Sequence, residues 1–234
     1  MQVGTDITDV LGSVRVPTLV VHRADDRASA EYVSERILGA TRVEVPGLGS
    51  TPATDSVIQA VLAFVHGEVP RVVPDTVLAT LLFTDLVGST AFAAKLGDRR
   101  WRELLEAHHA VVQREVARHR GTVLDSAGDG FFCRFDGPAR AIACAREILA
   151  SAPALGLAVR AGVHTGECEI SGDKLVGLAV VIGARVADIA DAGEILVSQT
   201  VKDLVAGSDL EFEERGPHQL KGVPGTWTIH VLTD

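Results

Sequence analysis

Phe83-Thr84-Asp85-Leu86-Val87-Gly88-Ser89-Thr90 closes an apolar run that begins at Val77, and its reading decides the fold. The run has strand composition, meets a carboxylate, and turns through small residues into a helix. Downstream, Gly128-Asp129-Gly130 sets a second carboxylate in a glycine turn between the β-like runs Thr122–Leu124 and Phe131–Phe135. Two carboxylates at the tips of adjacent strands can hold two divalent cations, and a helix start at Gly88-Ser89-Thr90 offers backbone N–H groups to phosphates. Together they point to metal-assisted chemistry on a nucleoside triphosphate. Each half also has a plainer reading. Asp85 or Ser89 can serve as the cap of the helix that follows, and Asp129-Gly130 is also the signature of a tight hairpin turn.

Outward from these segments the elements alternate. The spacing predicts a strand over Val77–Phe83, a short helix, and a longer helix from Asp98 to His119, where Trp101, Leu104, Leu105, Val111, Val112 and Val116 recur at helical period before Gly121. A hairpin (Thr122–Phe135), an Ala-rich helix (Pro138–Ala150) and a strand (Leu157–His164) follow, then a polar turn and a further strand-like stretch. Next come a helix over Leu178–Ala190, a strand over Glu194–Ser198, a short helix over Val201–Val205 and a β tail over Leu210–Leu232. Strand, helix, hairpin, helix, strand is the order of a ferredoxin-like core, so the fold class expected is α+β, an α/β sandwich with added C-terminal strands.

Two prolines in Gly67-Glu68-Val69-Pro70-Arg71-Val72-Val73-Pro74-Asp75 deny both helix and central strand, which marks a linker. The division expected is residues 1–66, a linker over 67–76, and a main domain over 77–234. The first segment reads as strand (Thr18–Val21), helix (Ser29–Leu38), strand (Arg42–Val45) and helix (Asp55–Val65), too few elements for a sturdy domain.

The 234 residues carry a formal net charge of -9, which argues against a nucleic-acid or anionic-membrane surface. An acidic chain that binds an acidic nucleotide needs metal ions or local Lys and Arg. Cys133, Cys144 and Cys168 lie far apart in apolar runs without CxxC spacing, which reads as reduced, buried thiols of a cytoplasmic protein. Arg146, Arg160 and Arg185 interrupt the apolar stretches, so no membrane span is expected, and no secretory signal is visible. His108 and His109 read as core-edge or solvated helix residues and His164 as a packed one; no pairing has zinc spacing.

Phe83–Thr90, Ala127-Gly128-Asp129-Gly130-Phe131, Gly177-Leu178-Ala179-Val180-Val181-Ile182-Gly183-Ala184-Arg185-Val186 and Leu220-Lys221-Gly222 resemble, in order, the motifs of the class III adenylate/guanylate cyclase catalytic domain, with an actinobacterial look. The resemblance runs from about Thr76 to Leu232. It implies that Asp85 and Asp129, with the Leu86 carbonyl, hold two Mg²⁺ or Mn²⁺ ions per site. Val87, Gly88, Ser89 and Thr90 would cradle the phosphates, Arg185 would stabilise charge on the transferring phosphorus, and Lys221 would reach the terminal phosphates. It further implies a purine nucleoside triphosphate as substrate and a homodimer with composite sites. Arg185 can instead pair with Asp188, and Lys221-Gly222 can be an ordinary turn.

Three positions depart from the adenylyl cyclase pattern. Asp125 stands where a lysine reads adenine, Lys174 where its aspartate partner stands, and Val181 where an asparagine positions the ribose. Asp125 can only accept and Lys174 can only donate, which suits guanine at least as well as adenine; the two can also pair with each other and read no base. Val181 cannot hydrogen-bond a ribose at all. The expectation is a 3′,5′-cyclic AMP-forming cyclase of low activity, with GTP as substrate or an inactive nucleotide-binding dimeric module as the alternatives. The preceding stretch Pro17-Thr18-Leu19-Val20-Val21-His22-Arg23-Ala24-Asp25-Asp26 resembles the end of an α/β-hydrolase, with Asp26 at the triad acid. Ser50 occupies the histidine's place and no Gly-x-Ser-x-Gly elbow exists, so it reads as a non-catalytic remnant.

Overall fold

The computed structural model describes residues 8–45, 51–67, 76–126, 128–171 and 174–233. Ser50, most of the predicted linker and Ala127 lie outside the described residues. The chain divides into two compact units, one of residues 1–76 with Glu169–Lys174, the other of Val77–Cys168 with Leu175–Asp234.

The first unit has a short helix α1 (Thr8–Leu11), strand β1 (Leu19–His22), helix α2 (Arg27–Arg36), strand β2 (Thr41–Glu44) and helix α3 (Thr51–Val65). β1 and β2 pair in parallel, Leu19 opposite Thr41, with α2 as the crossover. Val43, Val45 and Ala60 form its small core.

The second unit follows the expected α+β plan. Its elements are β3 (Thr76–Leu86), α4 (Ser89–Leu96), α5 (Asp98–Arg118), β4 (Thr122–Asp125), β5 (Phe131–Phe135), α6 (Pro138–Ser151), β6 (Val159–Ser171), β7 (Lys174–Val176), α7 (Leu178–Asp188), β8 (Ile195–Ser198), α8 (Gln199–Leu204), β9 (Phe212–His218) and β10 (Trp227–Leu232). The strands form one sheet in the order β4-β5-β3-β6-β8-β10-β9, with β7 paired to β6. The first four are a ferredoxin-like sheet, and β8, β10 and β9 extend it.

Periodicity explains the helices. α5 buries His108, Val112, Glu115 and Val116, one stripe at helical spacing. α6 buries Ala141, Ile142, Cys144, Ala145 and Ile148, all at 0% exposure. Each fully buried Ile there contributes about 1.5–3 kcal/mol. These residues close over Leu82, Phe131, Cys133, Phe135, Val159 and Val163 on one sheet face. α7 supplies Ile182 and Val186 to a second cluster with Leu196, Ile229 and Val231.

Two of the boundaries that differ from those read in the sequence matter to the site. β3 continues past Phe83 through Asp85 and Leu86. β6 does not break after His164: Thr165 is buried, its hydroxyl 2.8 Å from that of Thr80, so the polar pair is an internal sheet contact and not a turn. The short helix α8 also begins earlier, at Gln199.

Candidate active site

The register of β3 and β5 brings the two aspartates together. Thr84 lies opposite Phe131, so Asp85, one residue on, and Asp129, two residues before Phe131, meet at the same end of adjacent antiparallel strands. Beside them opens a cleft of about 280 Å³ lined by Ser89, Thr90, Trp101, Leu105, Gly128 and Asp129. Ser89 and Thr90 are the first residues of α4, and the N-cap is Gly88 at φ 72° with no side-chain cap. Neither Asp85 nor Ser89 is therefore the cap. The first N–H groups of the helix face the cleft without an intrahelical partner, as helix geometry requires. Val87 belongs to a different environment: its N–H donates to the Ala158 carbonyl at 2.8 Å. The Val87 N–H is thus taken up by the strand's neighbour, while Ser89 and Thr90 line the cleft.

Asp85 is held by a residue whose role the sequence did not show. Arg160, in β6, donates from Nε (3.1 Å) and Nη2 (2.6 Å) to Asp85 Oδ2, and from Nη1 to the Asp188 carbonyl at 2.7 Å. Both contacts land on Oδ2, which leaves Oδ1 outside the pair. Asp188 in turn accepts from Arg185 Nη1 at 2.6 Å, and Arg185 Nε donates to the Lys221 carbonyl at 3.2 Å. In the single chain Arg185 therefore takes the Asp188 pairing that its position allowed, and it stands next to Lys221. Lys221 lies exposed in a turn closed by Val223 N–H on the Leu220 carbonyl.

Two helix residues also meet the second aspartate's loop. His109 Nε2 is 2.9 Å from the Gly128 carbonyl, so this nitrogen carries the proton and donates. Its neighbour His108 is buried, and burial above all lowers its pKa, with His109 adding to the shift and Asp129 opposing it. Sequence reading placed both histidines at the core edge or in solvent. The missed signal is the spacing Trp101, Leu105, His109, which puts the imidazole on the helix stripe that faces the loop. His164 is packed as expected, Nδ1 2.8 Å from Ser198 Oγ and the ring edge-on to Trp227. Asp125 (end of β4), Lys174 (start of β7) and Val181 (on α7) are exposed and outside these contacts.

The donor set fits hard divalent cations. Two carboxylates and a backbone carbonyl are oxygen ligands of the kind Mg²⁺ takes, and Mg²⁺ characteristically uses one or two carboxylates together with substrate phosphates. Among the described residues no group of three or more His, Cys, Asp and Glu could by itself hold a metal ion.

The ends of β3 and β5 thus set two carboxylates close in the fold to the N-terminus of α4. The model of the adenylate and guanylate cyclase catalytic domain matches residues 73–234, and the chain belongs to that family. An uncharacterised protein of Mycobacterium tuberculosis is 30% identical over 156 residues, 64% of this chain and 54% of the relative. The chain spans about half or less of the length of the curated relatives it matches. The crystal structure of the adenylyl cyclase CyaB from P. aeruginosa covers 68% of this chain and 96% of its own at 20% identity and TM-score 0.63. That of the guanylyl cyclase Cya2 covers 68% and 93% at 24% identity and TM-score 0.62. These likenesses show the fold, and they include both purine classes. No helix among the described residues is long and apolar enough to cross a membrane.

Proposed function

We propose that the second unit, residues 77–234, is a nucleotidyl cyclase that converts ATP to 3′,5′-cyclic AMP and pyrophosphate. The observation that carries this reading is that Asp85 and Asp129 stand at the same end of paired strands, Asp129 lining a cleft with Ser89 and Thr90 at the α4 N-terminus. The 3′-hydroxyl releases its proton to solvent as its oxygen forms a bond to the α-phosphorus, and the bond from that phosphorus to the bridging oxygen of pyrophosphate breaks, its electron pair leaving with pyrophosphate. Two divalent cations, Mg²⁺ or Mn²⁺, held by Asp85, Asp129 and the Leu86 carbonyl would acidify the 3′-hydroxyl and offset phosphate charge. Gly88–Thr90 orient the phosphates through backbone N–H groups. Arg185 and Lys221 supply the positive charge this acidic chain otherwise lacks.

A homodimer with composite sites accords with α7. Leu178, Val181 and Ile189 are 51%, 39% and 40% exposed and share one helix stripe with Arg185. In the dimer that stripe brings Arg185 of one protomer to the metal carboxylates of the other, and the Asp188 pairing gives way to phosphate.

The purine rests on Asp125 and Lys174, an acceptor and a donor on exposed positions, so GTP is the competing substrate. A second reading, an inactive nucleotide-binding dimer, is favoured by Val181 at the ribose position. We assign the first unit to the tail of an α/β-hydrolase, of the kind actinobacterial cyclases carry. Its parallel β1-α2-β2 unit supports this; Asp26 ends a single 3-10 turn (Ala24–Asp26) before α2, exposed and 3.4 Å from Arg23, and we do not read it as a catalyst.

Product formation from ATP and from GTP, each with Mn²⁺ and Mg²⁺, tests the proposal. Cyclic AMP formed by the wild type and abolished in Asp85→Ala is the expected result. Cyclic GTP alone would move the substrate to GTP, and no product from an intact dimer would leave the inactive module.

A further inference from the structure

We infer that His109 is a positioning residue for the metal-binding loop, its Nε2–H fixing the Gly128 carbonyl and thereby the direction from which Asp129 reaches its cation. This rests on the cyclase reading of the site and deepens it. Asp129 lies between two glycines, Gly128 and Gly130, and Gly128 holds a left-handed φ of 66°. Glycine has the widest backbone freedom of any residue, so the loop contributes little to its own rigidity. An external anchor is needed to hold the carboxylate in one orientation.

α5 provides it. Trp101, Leu105 and His109 recur every fourth residue on the stripe facing the loop, and the first two line the cleft with Gly128 and Asp129. His109 is half-buried, its ring edge-on to Phe131 at 4.8 Å and 79°, which sets the imidazole plane. In that orientation Nε2 lies 2.9 Å from the Gly128 oxygen. The Gly128 carbonyl belongs to the peptide plane that carries the Asp129 N–H. Pinning it restricts the torsions on both sides of that plane, and with them the Cα–Cβ direction of Asp129. The helix is a firm base, because Val112 and Val116 on the following turns are buried at 0% and 2% exposure.

The ring packing and the hydrogen bond make opposite demands on substitutions, which separates a positioning role from a structural one. His109→Phe keeps a ring against Phe131 and removes the donor. His109→Gln removes the ring and places an N–H near the Nε2 position. Mn²⁺ binding by the full chain in the presence of 3′-deoxy-ATP, which lacks the attacking hydroxyl, is read by electron paramagnetic resonance, with the Tm of each variant measured without metal. His109→Phe is expected to weaken Mn²⁺ binding about 10-fold or more, the scale of lost outer-shell contacts to a metal site. His109→Gln is expected to stay within about 3-fold of wild type, below that scale. His109→Met, a second variant without a donor, takes the place of His109→Phe should the latter fail to fold. The reverse order, equal loss in both classes or no loss in either overturns the inference. If the wild type binds no Mn²⁺ with nucleotide, or Asp129→Ala binds it as well as the wild type, the metal-site reading itself falls. Binding that Asp129→Ala abolishes and the His109 variants leave intact removes only the role of His109.

Discussion

Arg160 and Val181 are the two residues through which this site differs most from what local sequence shows. Arg160 neutralises Asp85 from a strand 75 residues away, a neighbourhood that exists only once β3 and β6 lie side by side. In the sequence it was legible only as a charge interrupting an apolar run. Asp85 and Asp129, by contrast, each announced themselves by a turn signal next to a strand. Arg160→Gln is expected to lower turnover about 10- to 100-fold, because it removes an outer-shell partner of a ligand. The accompanying loss of stability is small, about 1 kcal/mol or less, since the pair is 26% and 35% exposed and solvent screens it. Val181 is 39% exposed and gives a ribose nothing to bond. Val181→Asn is expected to raise kcat about 10- to 100-fold, the range attached to correct placement of a reacting group. Steady-state kinetics with Mn²⁺ and ATP check both variants, and a Val181→Asn enzyme no faster than wild type would remove the ribose from that position.

At the level of elements, the approach of α7 to β6 decides where Arg185 and Asp188 stand. Gly162 permits it: a Cβ there would lie 2.2 Å from the Ala187 nitrogen and 2.6 Å from its Cα. Backbone cannot yield as a flexible side chain does, so α7 must shift. Gly162→Ala is expected to cost about 1–3 kcal/mol, the usual cost of overfilling a tight contact, and to lower turnover together with Tm. Thermal unfolding and cyclase assays on the same preparation check the pair. The order of helices and strands was legible because α5 and α6 alternate apolar and polar residues at helical period. The continuity of β6 was not. Thr165 and Gly166 look like turn residues locally, yet Thr165 is bonded to Thr80 and a Cβ on Gly166 would come within 2.8 Å of the Ala179 Cβ. Small and polar residues there answer to neighbours across the sheet, which local pattern does not record.

For the whole molecule, burial of titratable groups sets the response to pH. Burial pushes the His164 pKa down to about 4. The unfolded chain takes up that proton near pH 6.5, so the unfolded state gains protons first as pH falls. Stability is intact above about pH 6.5 and is lost progressively toward about pH 4, by up to about 3 kcal/mol from this residue. Tm measured across that window is expected to fall, and His164→Asn to flatten the slope in part. His108 and His230, also lowered chiefly by burial, keep the remainder. Burial likewise pushes the Cys133 and Cys144 thiols up to about 12. Neither is expected to react with iodoacetamide at about pH 8 until the chain unfolds, because the thiolate is the nucleophile.

Trp227–Leu232 comes last in the order of synthesis among these strands, yet it lies between β8 and β9. Until β10 has emerged, β8 has one open edge and β9 has no neighbour in the sheet. Both wait for Leu232 to leave the exit tunnel. That side of the sheet is completed only once β10 is available, and a chain cut short before it would leave a ferredoxin-like half with a raw strand edge on offer to other nascent chains.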